Sequence, residues 1–522
     1  MSDNKKTGSY YTPPDVIRFM VEYLSVNGQN FSKVLEPSAG DGRFIRELES
    51  IADSITAIEK FDEKVAVIRR LYPLDNVKVL QHDFLEYAIC SNEKYTLIIG
   101  NPPYVNMKNM SELDIDKARN LCIQQGAKNG IMQNLWVAFV IGASKMLCPD
   151  GSIFFVLPTE FLQVQYAETL RENLEKDFNV IHIISFCDAV FPDIEQDVCL
   201  VYLTNRKEDE AQISYRIYAN AATGKLIKET KIKKNKPLKK WSNAILGDEE
   251  ISLLKVASEM YIKIDNIGTI APGIVTGGNK YFILTQKEVQ QYRCADFVLP
   301  IIQKSSYIEE NTTEITTEMF GRICENGKPA FVLNLSNVSA ENIPLELMEY
   351  LNEVGDKEEN NIKLKERFKC ANRTPWYGVP IVNKGDIVFF KRYGKLPRIY
   401  TNRNLLHTTD AGYHIRLNKE YDADSVLFCF FNSMTLAHCE FNGRYYGGGV
   451  CELVPSEFRA VPIPYRLINK AEVEKLKKMF KQNVPTEEIV KYVNSKTIAE
   501  DFPEHIKMFE QIHKQLVNRR KS

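Results

Sequence analysis

The residues Asn101-Pro102-Pro103-Tyr104 follow directly on the apolar run Tyr95–Gly100, and their types suit the chemistry of an amino group. The side-chain oxygen of Asn101 and the carbonyl oxygen of Pro102 can both accept hydrogen bonds, so together they could hold both hydrogens of one planar amino nitrogen. Two acceptors placed for a tetrahedral nitrogen favour the transition state of its methylation over the flat ground state. Tyr104 would offer a stacking face to a base taken out of a duplex.

A second set of polar residues stands at the ends of three earlier apolar runs. Glu36 ends the first run and is followed by the small-residue turn Pro37–Gly42. Small residues let a ligand approach the backbone, whose amides are free to donate where a helix starts. Glu59 ends the next run, where a carboxylate can accept hydrogen bonds from a ribose. Asp83 and Phe84 follow the third run and offer an acceptor and an aromatic face to a purine, so the sequence predicts a nucleoside cofactor.

An α/β framework must position these residues. From residue 12 to about residue 205, short β-rich runs alternate with helical periods, which is typical of a mostly parallel sheet covered by helices. A first helix is predicted to begin at Pro13, with Thr12 as its cap. The polar residues then lie at the carboxyl edge of the sheet, where open α/β folds bind ligands. We predict seven strands, over Val34–Glu36, Ile55–Glu59, Val77–Gln81, Tyr95–Gly100, Ile153–Leu157, Val180–Phe186 and Val198–Leu203.

The composition is that of a globular protein. The chain has 522 residues, of which 44% are hydrophobic and 26% charged, and this excludes disordered and collagen-like classes. Lys and Arg number 67 against 68 for Asp and Glu, so any nucleic-acid surface must be a local patch. The eleven cysteines contain no CxxC pair and the seven histidines lack metal-binding spacing, so we expect reduced thiols and no metal site. The polar N-terminus and the lack of a long apolar run predict a cytoplasmic protein with no membrane span.

The order of the motifs YYTPPDV, VLEPSAGDG, AIEKFD, HDFLEY and LIIGNPPYV resembles the gamma-class DNA adenine-N6 methyltransferases of bacterial restriction-modification systems, over most of residues 7 to 205. The resemblance implies a Rossmann-like methyltransferase sheet, S-adenosylmethionine as cofactor and double-stranded DNA as substrate. It implies that Asn101, Pro102 and Tyr104 act on a flipped adenine, with Phe191 as a second aromatic contact. The cofactor-binding residues that it implies are Thr12, Glu36, Pro37, Ser38, Ala39, Gly40, Glu59, Asp83, Phe84 and Asn101.

The C-terminal half has a different pattern. Residues 225–240 contain eight lysines and one glutamate, which indicates either a solvated linker or a segment that contacts phosphates. Beyond residue 260, short β-like runs and Gly/Pro-rich turns predict a mixed, mainly β domain, and amphipathic helices are predicted from Lys470 onward. We therefore expect a catalytic domain at residues 1–240, a DNA target-recognition domain at residues 241–465 and a helical extension at residues 466–522.

Basic and aromatic residues are interleaved in the second of these domains. Basic groups neutralise phosphates, and aromatic rings stack on bases or contact their edges. This pattern predicts a local DNA-binding patch despite the neutral total charge. Its predicted members are Arg373, Trp376, Lys391, Arg392, Tyr393, Arg398, Arg444 and Tyr445.

Other functions share part of the pattern. Methyltransferases acting on protein glutamine or on RNA bases also use NPPY, but they resemble only the first domain. Cytosine-N4 methylation is chemically close, although those enzymes more often have Ser where Asn101 stands. A DNA-binding subunit without catalysis is the alternative from another class, and the intact NPPY counts against it. We expect a monomer, and the resemblance leaves open a cognate restriction endonuclease as a further partner.

Overall fold

The computed structural model describes residues 11–26, 30–124, 132–188, 197–206, 212–234, 238–359, 361–446 and 448–520. The chain forms two compact units. The first comprises Met1–Ile251, Tyr446–Gly449 and Asn518–Ser522, and the second comprises Ser252–Tyr445 and Val450–Val517. The functional division at residues 240 and 465 stays a prediction. Among the described residues, no helix is both long enough and apolar enough to cross a membrane.

The first unit is built on one large sheet. Its described strands are β1 (Val34–Glu36), β2 (Ile55–Glu59), β3 (Val77–Gln81), β4 (Tyr95–Gly100), β5 (Leu147–Pro158), β6 (Val180–Phe186), β7 (Val198–Thr204), β8 (Gln212–Tyr218) and β9 (Leu226–Lys233). Their order is β3-β2-β1-β4-β5-β7-β6-β8-β9. Strands β1 to β5 pair in parallel, β7 runs antiparallel to β5 and β6, and β9 runs antiparallel to β8. The sheet is therefore mostly parallel, as expected.

Two strands extend the sheet beyond the seven predicted ones. Strand β9 occupies part of residues 225–240, so the prediction of a solvated linker was wrong for Leu226–Lys233. Ile232 is buried, and the side chains of Lys228 and Thr230 both donate to the carbonyl oxygen of Ile245, at 3.2 and 3.1 Å. Lysines on an edge strand discourage further strand pairing. The same lysines hid the strand pattern in the sequence.

Seven helices of the first unit are described, and they cover the sheet. They are α1 (Pro14–Ser25), α2 (Arg43–Leu48), α3 (Asp62–Leu71), α4 (Phe84–Cys90), α5 (Glu112–Gln124), α6 (Leu135–Met146) and α7 (Glu168–Asp177). The buried side chains of Val16, Met20 and Leu24 recur on one face of α1, and this spacing packs the helix onto the sheet. Helix α1 begins at Pro14 with Pro13 in the N-cap position and no side-chain cap, so the prediction of a start at Pro13 capped by Thr12 was wrong.

The second unit is mixed α and β. Its helices, wholly or mainly in this unit, are α8 (Asp248–Met260), α9 (Ile264–Ile267), α10 (Asn279–Phe282), α11 (Gln286–Gln291), α12 (Thr317–Glu325), α13 (Leu345–Gly355), α14 (Phe368–Ala371), α15 (Ala423–Phe430), α16 (Ser433–Asn442), α17 (Pro455–Arg459), α18 (Lys470–Lys481), α19 (Thr486–Asn494) and α20 (Ile506–Arg519). Its strands are β10 (Ile262–Lys263), β11 (Gly268–Pro272), β12 (Ile283–Leu284), β13 (Val298–Ile302), β14 (Phe331–Leu333), β15 (Glu358–Glu359), β16 (Ile362–Lys363), β17 (Ile387–Phe390), β18 (Arg392–Tyr393), β19 (Ile399–Thr401), β20 (His407–Thr408), β21 (Gly412–Leu417), β22 (Arg444–Tyr446), β23 (Val450–Glu452) and β24 (Pro462–Ile463).

The strands of the second unit form several small sheets rather than one large one. Its two four-stranded sheets have the orders β11-β21-β17-β19 and β12-β14-β13-β20. Helices take a larger share of this unit than the mainly β prediction allowed. Helices α15 and α16 are buried on nearly every side, and a helix that is apolar all round lacks the period by which it is recognised in a sequence. The predicted amphipathic helix from Lys470 is α18, which buries Val473, Leu476 and Phe480 in the core.

Candidate active site

The polar residues predicted to share one sheet edge do so. Glu36, Glu59, Asp83 and Asn101 stand at or just beyond the carboxyl ends of β1, β2, β3 and β4, which are parallel neighbours. A cavity of about 270 Å³ opens at this edge, close to the lower end of the size range of small-molecule sites. All ten residues predicted to bind the cofactor line it: Thr12, Glu36, Pro37, Ser38, Ala39, Gly40, Glu59, Asp83, Phe84 and Asn101.

Two buried oxygens in the cavity wall lack a hydrogen-bond partner among the described residues. They are Oε2 of Glu36 and Oγ1 of Thr12, whose residues are 1% and 2% exposed. Burial raises the pKa of Glu36 well above its usual value, and the nearby charges of Asp41 and Glu59 raise it further. Buried polar atoms are nearly always satisfied, so these two oxygens point to a partner supplied by a ligand.

The turn between β1 and α2 forms a close-fitting floor. Gly40 and Gly42 have φ values of 60° and 80°, in the left-handed region that favours glycine. A Cβ at Gly40 would lie 3.3 Å from the ring of Tyr11, which is 44% exposed. Arg43 supports this arrangement, since its guanidinium lies 4.8 Å from the centre of the Tyr11 ring and also forms a salt bridge to Asp41. Side-chain-free backbone at Gly40 leaves room for a ligand to approach.

Glu59 is fixed by backbone hydrogen bonds. Its Oε2 accepts from the amide of Gly40 at 2.8 Å, and its Oε1 accepts from the amide of Phe61 at 3.0 Å. Each carboxylate oxygen has a second lone pair, so Glu59 can still accept from two hydroxyl groups. The bonds hold the carboxylate in one orientation, as recognition of a ribose would require.

Asp83 and Phe84 form the wall contributed by the start of α4. Oδ1 of Asp83 accepts from the amide of Leu85 at 2.9 Å and so caps the helix, while its Oδ2 lies 3.1 Å from Nζ of Lys60. Phe84 is 3% exposed and packs on Phe139, with ring centres 4.8 Å apart. Asp83 therefore has a structural role in the cap in addition to its place in the cavity wall.

The corner after β4 is joined to the turn after β1. The hydroxyl of Ser38 donates to the backbone oxygen of Asn101 at 3.0 Å. Asn101 and Pro103 line the cavity. The described lining residues do not include Pro102, which is buried, or Tyr104, whose hydroxyl donates to the carbonyl oxygen of Val156 at 3.0 Å. The stacking role of Tyr104 stays a prediction, and Phe191 lies outside the described residues.

Several lining residues were not predicted. The additional side chains include Tyr11, Lys60, Phe61, Lys64, Met110, Asp114, Leu135 and Phe139. The positions of Tyr11 and Phe61, each within two residues of a predicted contact, could have suggested them. Those on α5 and α6 reach the cavity only through tertiary packing, for which the sequence carried no local signal.

Asn134 is a further buried polar residue beside this corner. It stands immediately before α6, is 7% exposed, and its Oδ1 has no hydrogen-bond partner among the described residues. Asn134 pairs with Asn106 in an isolated bridge, and the amide of Leu135 donates to the carbonyl oxygen of Val105 at 2.9 Å. These contacts attach the start of α6 to the segment that follows NPPY.

The predicted DNA-binding residues of the second unit fall into two groups. Tyr393 and Tyr445 are 9% and 5% exposed, so in this structure their rings pack in the interior and are not presented to a base. Trp376 is half-buried and packs against Phe282, with ring centres 6.0 Å apart. Arg373 is half-buried and donates to two backbone oxygens, those of Thr276 and Val275, both at 2.7 Å. These four residues support the fold locally.

The other predicted basic residues are at least partly exposed and have acceptor partners. Lys391 lies 3.5 Å from Asp410, Arg392 lies 3.1 Å from Glu452 and Arg444 lies 2.9 Å from Glu457. Arg398 donates to the backbone oxygen of Glu310. A polyanion would therefore have to exchange with carboxylates for the first three. Among the described residues, no three His, Cys, Asp or Glu side chains are grouped to hold a metal ion.

Two family models match the chain. The C-terminal domain of Type II methyltransferase M.Eco57I matches residues 238–498, and the Eco57I restriction-modification methylase model matches residues 38–191. Type II methyltransferase M.AccI of Acinetobacter calcoaceticus is 26% identical over 515 residues, covering 92% of this chain and 90% of that protein. Type II methyltransferase M.HincII of Haemophilus influenzae is 26% identical over 217 residues, covering 41% of each.

Larger restriction-modification enzymes share the fold. The Type IIL enzyme MmeI, solved in complex with DNA, aligns with a TM-score of 0.56 at 13% identity, over 97% of this chain and 72% of that chain. The DrdV–DNA complex aligns with a TM-score of 0.50 at 12% identity, over 92% of this chain and 58% of that chain. The chain thus spans less than two thirds of DrdV, and at these identities the likeness concerns the fold.

Proposed function

The chain belongs to the Eco57I family of restriction-modification methylases, and from this premise we propose that it transfers a methyl group from S-adenosylmethionine to the N6 amino group of adenine in double-stranded DNA. The observation that carries the proposal is that Asn101 and the acidic residues at the ends of β1 to β3 line one cavity. This arrangement would hold an amino nitrogen beside an electrophilic methyl donor, and such proximity removes much of the entropic cost of a two-substrate reaction.

The polar groups of the cavity wall support S-adenosylmethionine as the cofactor. Thr12 Oγ1 and Glu36 Oε2 are buried acceptors that need a partner, and the ammonium group of the cofactor would supply one. Gly40 leaves its backbone accessible, and the fixed carboxylate of Glu59 would accept from the ribose. Asp83 and Phe84 would hold the adenine. When bound, the cofactor supplies a methyl group activated by a sulfonium charge.

The corner after β4 would act on the target nitrogen. The side-chain oxygen of Asn101 and the carbonyl oxygen of Pro102 would accept its two hydrogens and favour tetrahedral geometry, which frees the lone pair from the adenine ring. Positive charge developing on nitrogen is stabilised by the same two oxygens, so no strong base is needed and the proton can leave to water. The hydrogen bond from Ser38 to Asn101 keeps the corner in place. Tyr104 and Phe191 are proposed to contact the flipped base.

Recognition of DNA is assigned in this proposal to residues 241–465, with residues 1–240 catalytic and residues 466–522 a helical extension. The match of residues 238–498 to the M.Eco57I C-terminal domain shows that this region is a domain of a Type II methyltransferase family. MmeI and DrdV share the fold and are described bound to DNA, which supports DNA as the ligand. The exposed arginines, above all Arg392, are the candidates for phosphate contact.

The test is to incubate the full chain with S-adenosylmethionine labelled in the methyl group and with unmethylated bacterial DNA, and then to analyse the nucleosides. We expect labelled N6-methyladenine from the wild-type protein and at least a hundredfold less from Asn101→Ala, since electrostatic groups of this kind contribute about 10²–10³ in kcat. Asn30→Ala is the matched control, because Asn30 is an exposed asparagine whose side chain donates to Asp53 at 3.0 Å.

Three results would reject the proposal. Label found in protein, in RNA or in cytosine instead of adenine would show a different substrate. Full activity of Asn101→Ala would show that the corner is not the catalytic group. The absence of any transfer by the folded wild-type protein, with S-adenosylmethionine bound, would favour a DNA-binding subunit without catalysis.

A further inference from the structure

Phe368 presents its ring to solvent from a firmly anchored turn. It is the first residue of α14 and is 77% exposed, the highest exposure of any aromatic residue that the structure describes. Leu364, four residues before it, and Cys370, two residues after it, are both completely buried in the core of this region. The backbone that carries the ring is therefore held on both sides, although the ring itself has little packing.

The turn that precedes α10 holds α14, the short helix that carries Phe368, in position. A Cβ at Gly277, whose φ is 81°, would lie 2.9 Å from Cβ of Lys369, so the two segments are in direct contact. Arg373 adds two hydrogen bonds, to the backbone oxygens of Thr276 and Val275, both at 2.7 Å. Because these contacts are to backbone, they fix the position of α14. The exposed ring is thus held in place before any ligand binds.

The charges around the ring are mainly positive. Residues 363–373 contain five basic residues and one acidic residue, Glu366. Lys365 and Arg367 are neutralised by Asp356 and Glu359, at 2.8 and 2.6 Å. Lys369 is exposed, lies 5.8 Å from the centre of the Phe368 ring, and forms no salt bridge with any residue in the described part of the chain. An unneutralised cation therefore accompanies the exposed ring.

We propose that Phe368 inserts its ring into the base stack of the bound DNA while Lys369 contacts an adjacent phosphate. The inference rests on the proposed function, because it takes duplex DNA as the ligand. Apolar side chains inserted between base steps are a recurrent way of unstacking DNA, and stacking on an aromatic ring next to a cation suits any base.

The experiment uses the full chain and an unmethylated plasmid fragment that the wild-type protein methylates. Affinity is measured at several salt concentrations for wild type and for Phe368→Ala, Lys369→Ala and Leu345→Ala. Leu345 is the matched control, since it is an apolar residue of the same unit and is 70% exposed. A Phe368→Trp variant reports stacking directly, because an indole that stacks on bases loses fluorescence.

We expect Phe368→Ala to weaken binding by about tenfold or more, as loss of one stacked ring does, with no change in the salt dependence. Lys369→Ala should lower the slope of log affinity against log salt by about one. Leu345→Ala should bind as wild type, and Phe368→Trp should be quenched by the fragment beyond the change seen in the wild-type protein.

Four outcomes would overturn the inference. If Phe368→Ala binds as wild type, the ring does not contact DNA. If Phe368→Trp shows no additional quenching, the ring is not in the stack, even where affinity falls. Equal losses of affinity in Phe368→Ala and Leu345→Ala would indicate a general effect of exposed apolar residues. If Phe368→Ala loses the native melting transition, its affinity is not interpreted and the fluorescence of Phe368→Trp decides. Failure of the wild-type protein to methylate any fragment instead refutes the proposed function, and the inference falls with it.

Discussion

The two units use charged side chains in opposite ways. The first unit buries carboxylates around a cavity: Glu36 is 1% exposed and Glu59 is 6% exposed. In the second unit, Arg392 is the clearest exposed member of the predicted DNA-binding residues: its side chain is 66% exposed and pairs with Glu452, whose side chain is 10% exposed. A buried carboxylate requires a partner of defined charge and position, whereas an exposed guanidinium exchanges partners more readily and is screened by salt. The first arrangement therefore suits one small ligand and the second suits a polyanion.

The largest expected effect removes the fixed acceptor of the first unit. Glu59→Ala leaves the amides of Gly40 and Phe61 without their acceptors and takes away the proposed ribose contact. Hydrogen bonds to charged groups contribute about 1.5–3 kcal/mol each, so we expect S-adenosylmethionine affinity to fall by about 100-fold in titration calorimetry. Glu49→Ala, an exposed glutamate at the end of α2, is the control. If Glu59→Ala binds S-adenosylmethionine with wild-type affinity, then Glu59 only holds the turn in position and does not contact the ribose.

A smaller effect is expected in the pH dependence of ligand affinity, which tests the buried carboxyl group of Glu36. Burial first, and then Asp41 and Glu59, raise the pKa of Glu36. Because the folded pKa of this acid lies above its unfolded value, its contribution to stability is present below the unfolded pKa and is lost as pH rises through the folded pKa. A cationic ligand favours the ionised carboxylate, so binding should release a proton, and affinity should rise by up to tenfold per pH unit below the folded pKa.

Proton release is measured by titrating S-adenosylmethionine at one pH in two buffers of different ionisation enthalpy. The apparent binding enthalpy of the wild-type protein should differ between the buffers, and that of Glu36→Gln should differ much less. Equal enthalpies for the wild-type protein would mean that Glu36 does not change its protonation on binding, and that the contrast between the two units is not one of buried charge.

The smallest effect concerns the surface of the second unit. Arg392→Ala should weaken DNA binding a few-fold at moderate salt and lower the slope of log affinity against log salt by about one. Arg322→Ala is the control, since Arg322 is also an exposed arginine paired with a glutamate, Glu318, at 2.9 Å. If both variants change the slope of log affinity against log salt equally, the exposed arginines act only through the net charge of the protein. Arg392 then does not mark a specific DNA-binding position.

The same contrast explains what the sequence could predict. A residue at the end of a parallel strand is placed by the sheet, so Glu36, Glu59 and Asn101 could be assigned to one edge without knowledge of packing. Whether a ring is exposed depends on contacts that are distant in sequence. Tyr393 and Tyr445 were therefore predicted at the surface but are buried.

A composition that is typical of two kinds of segment also led to a wrong prediction. The lysines of β9 match those of a solvated segment, because an exposed edge strand and a linker share that composition. The contribution of α5 and α6 to the cavity arises from the way these helices pack against each other and against α4. No local pattern of residues encodes that packing, so Asp114 and Phe139 had to be located in the structure.

The hydrogen bond from Ser38 to the backbone of Asn101, 3.0 Å long, joins the turn after β1, assigned to the cofactor in the proposed function, to the corner after β4, assigned to the target base. A ligand that makes the turn after β1 more rigid would then also make the corner after β4 more rigid, because this hydrogen bond connects them. Linkage of binding free energies is reciprocal, so under the proposed function a DNA target bound at the corner would strengthen binding of the methyl donor by the same factor. Under the proposed function the hydroxyl of Ser38 would carry this coupling, and the coupling would favour joint occupancy whichever of the two ligands binds first.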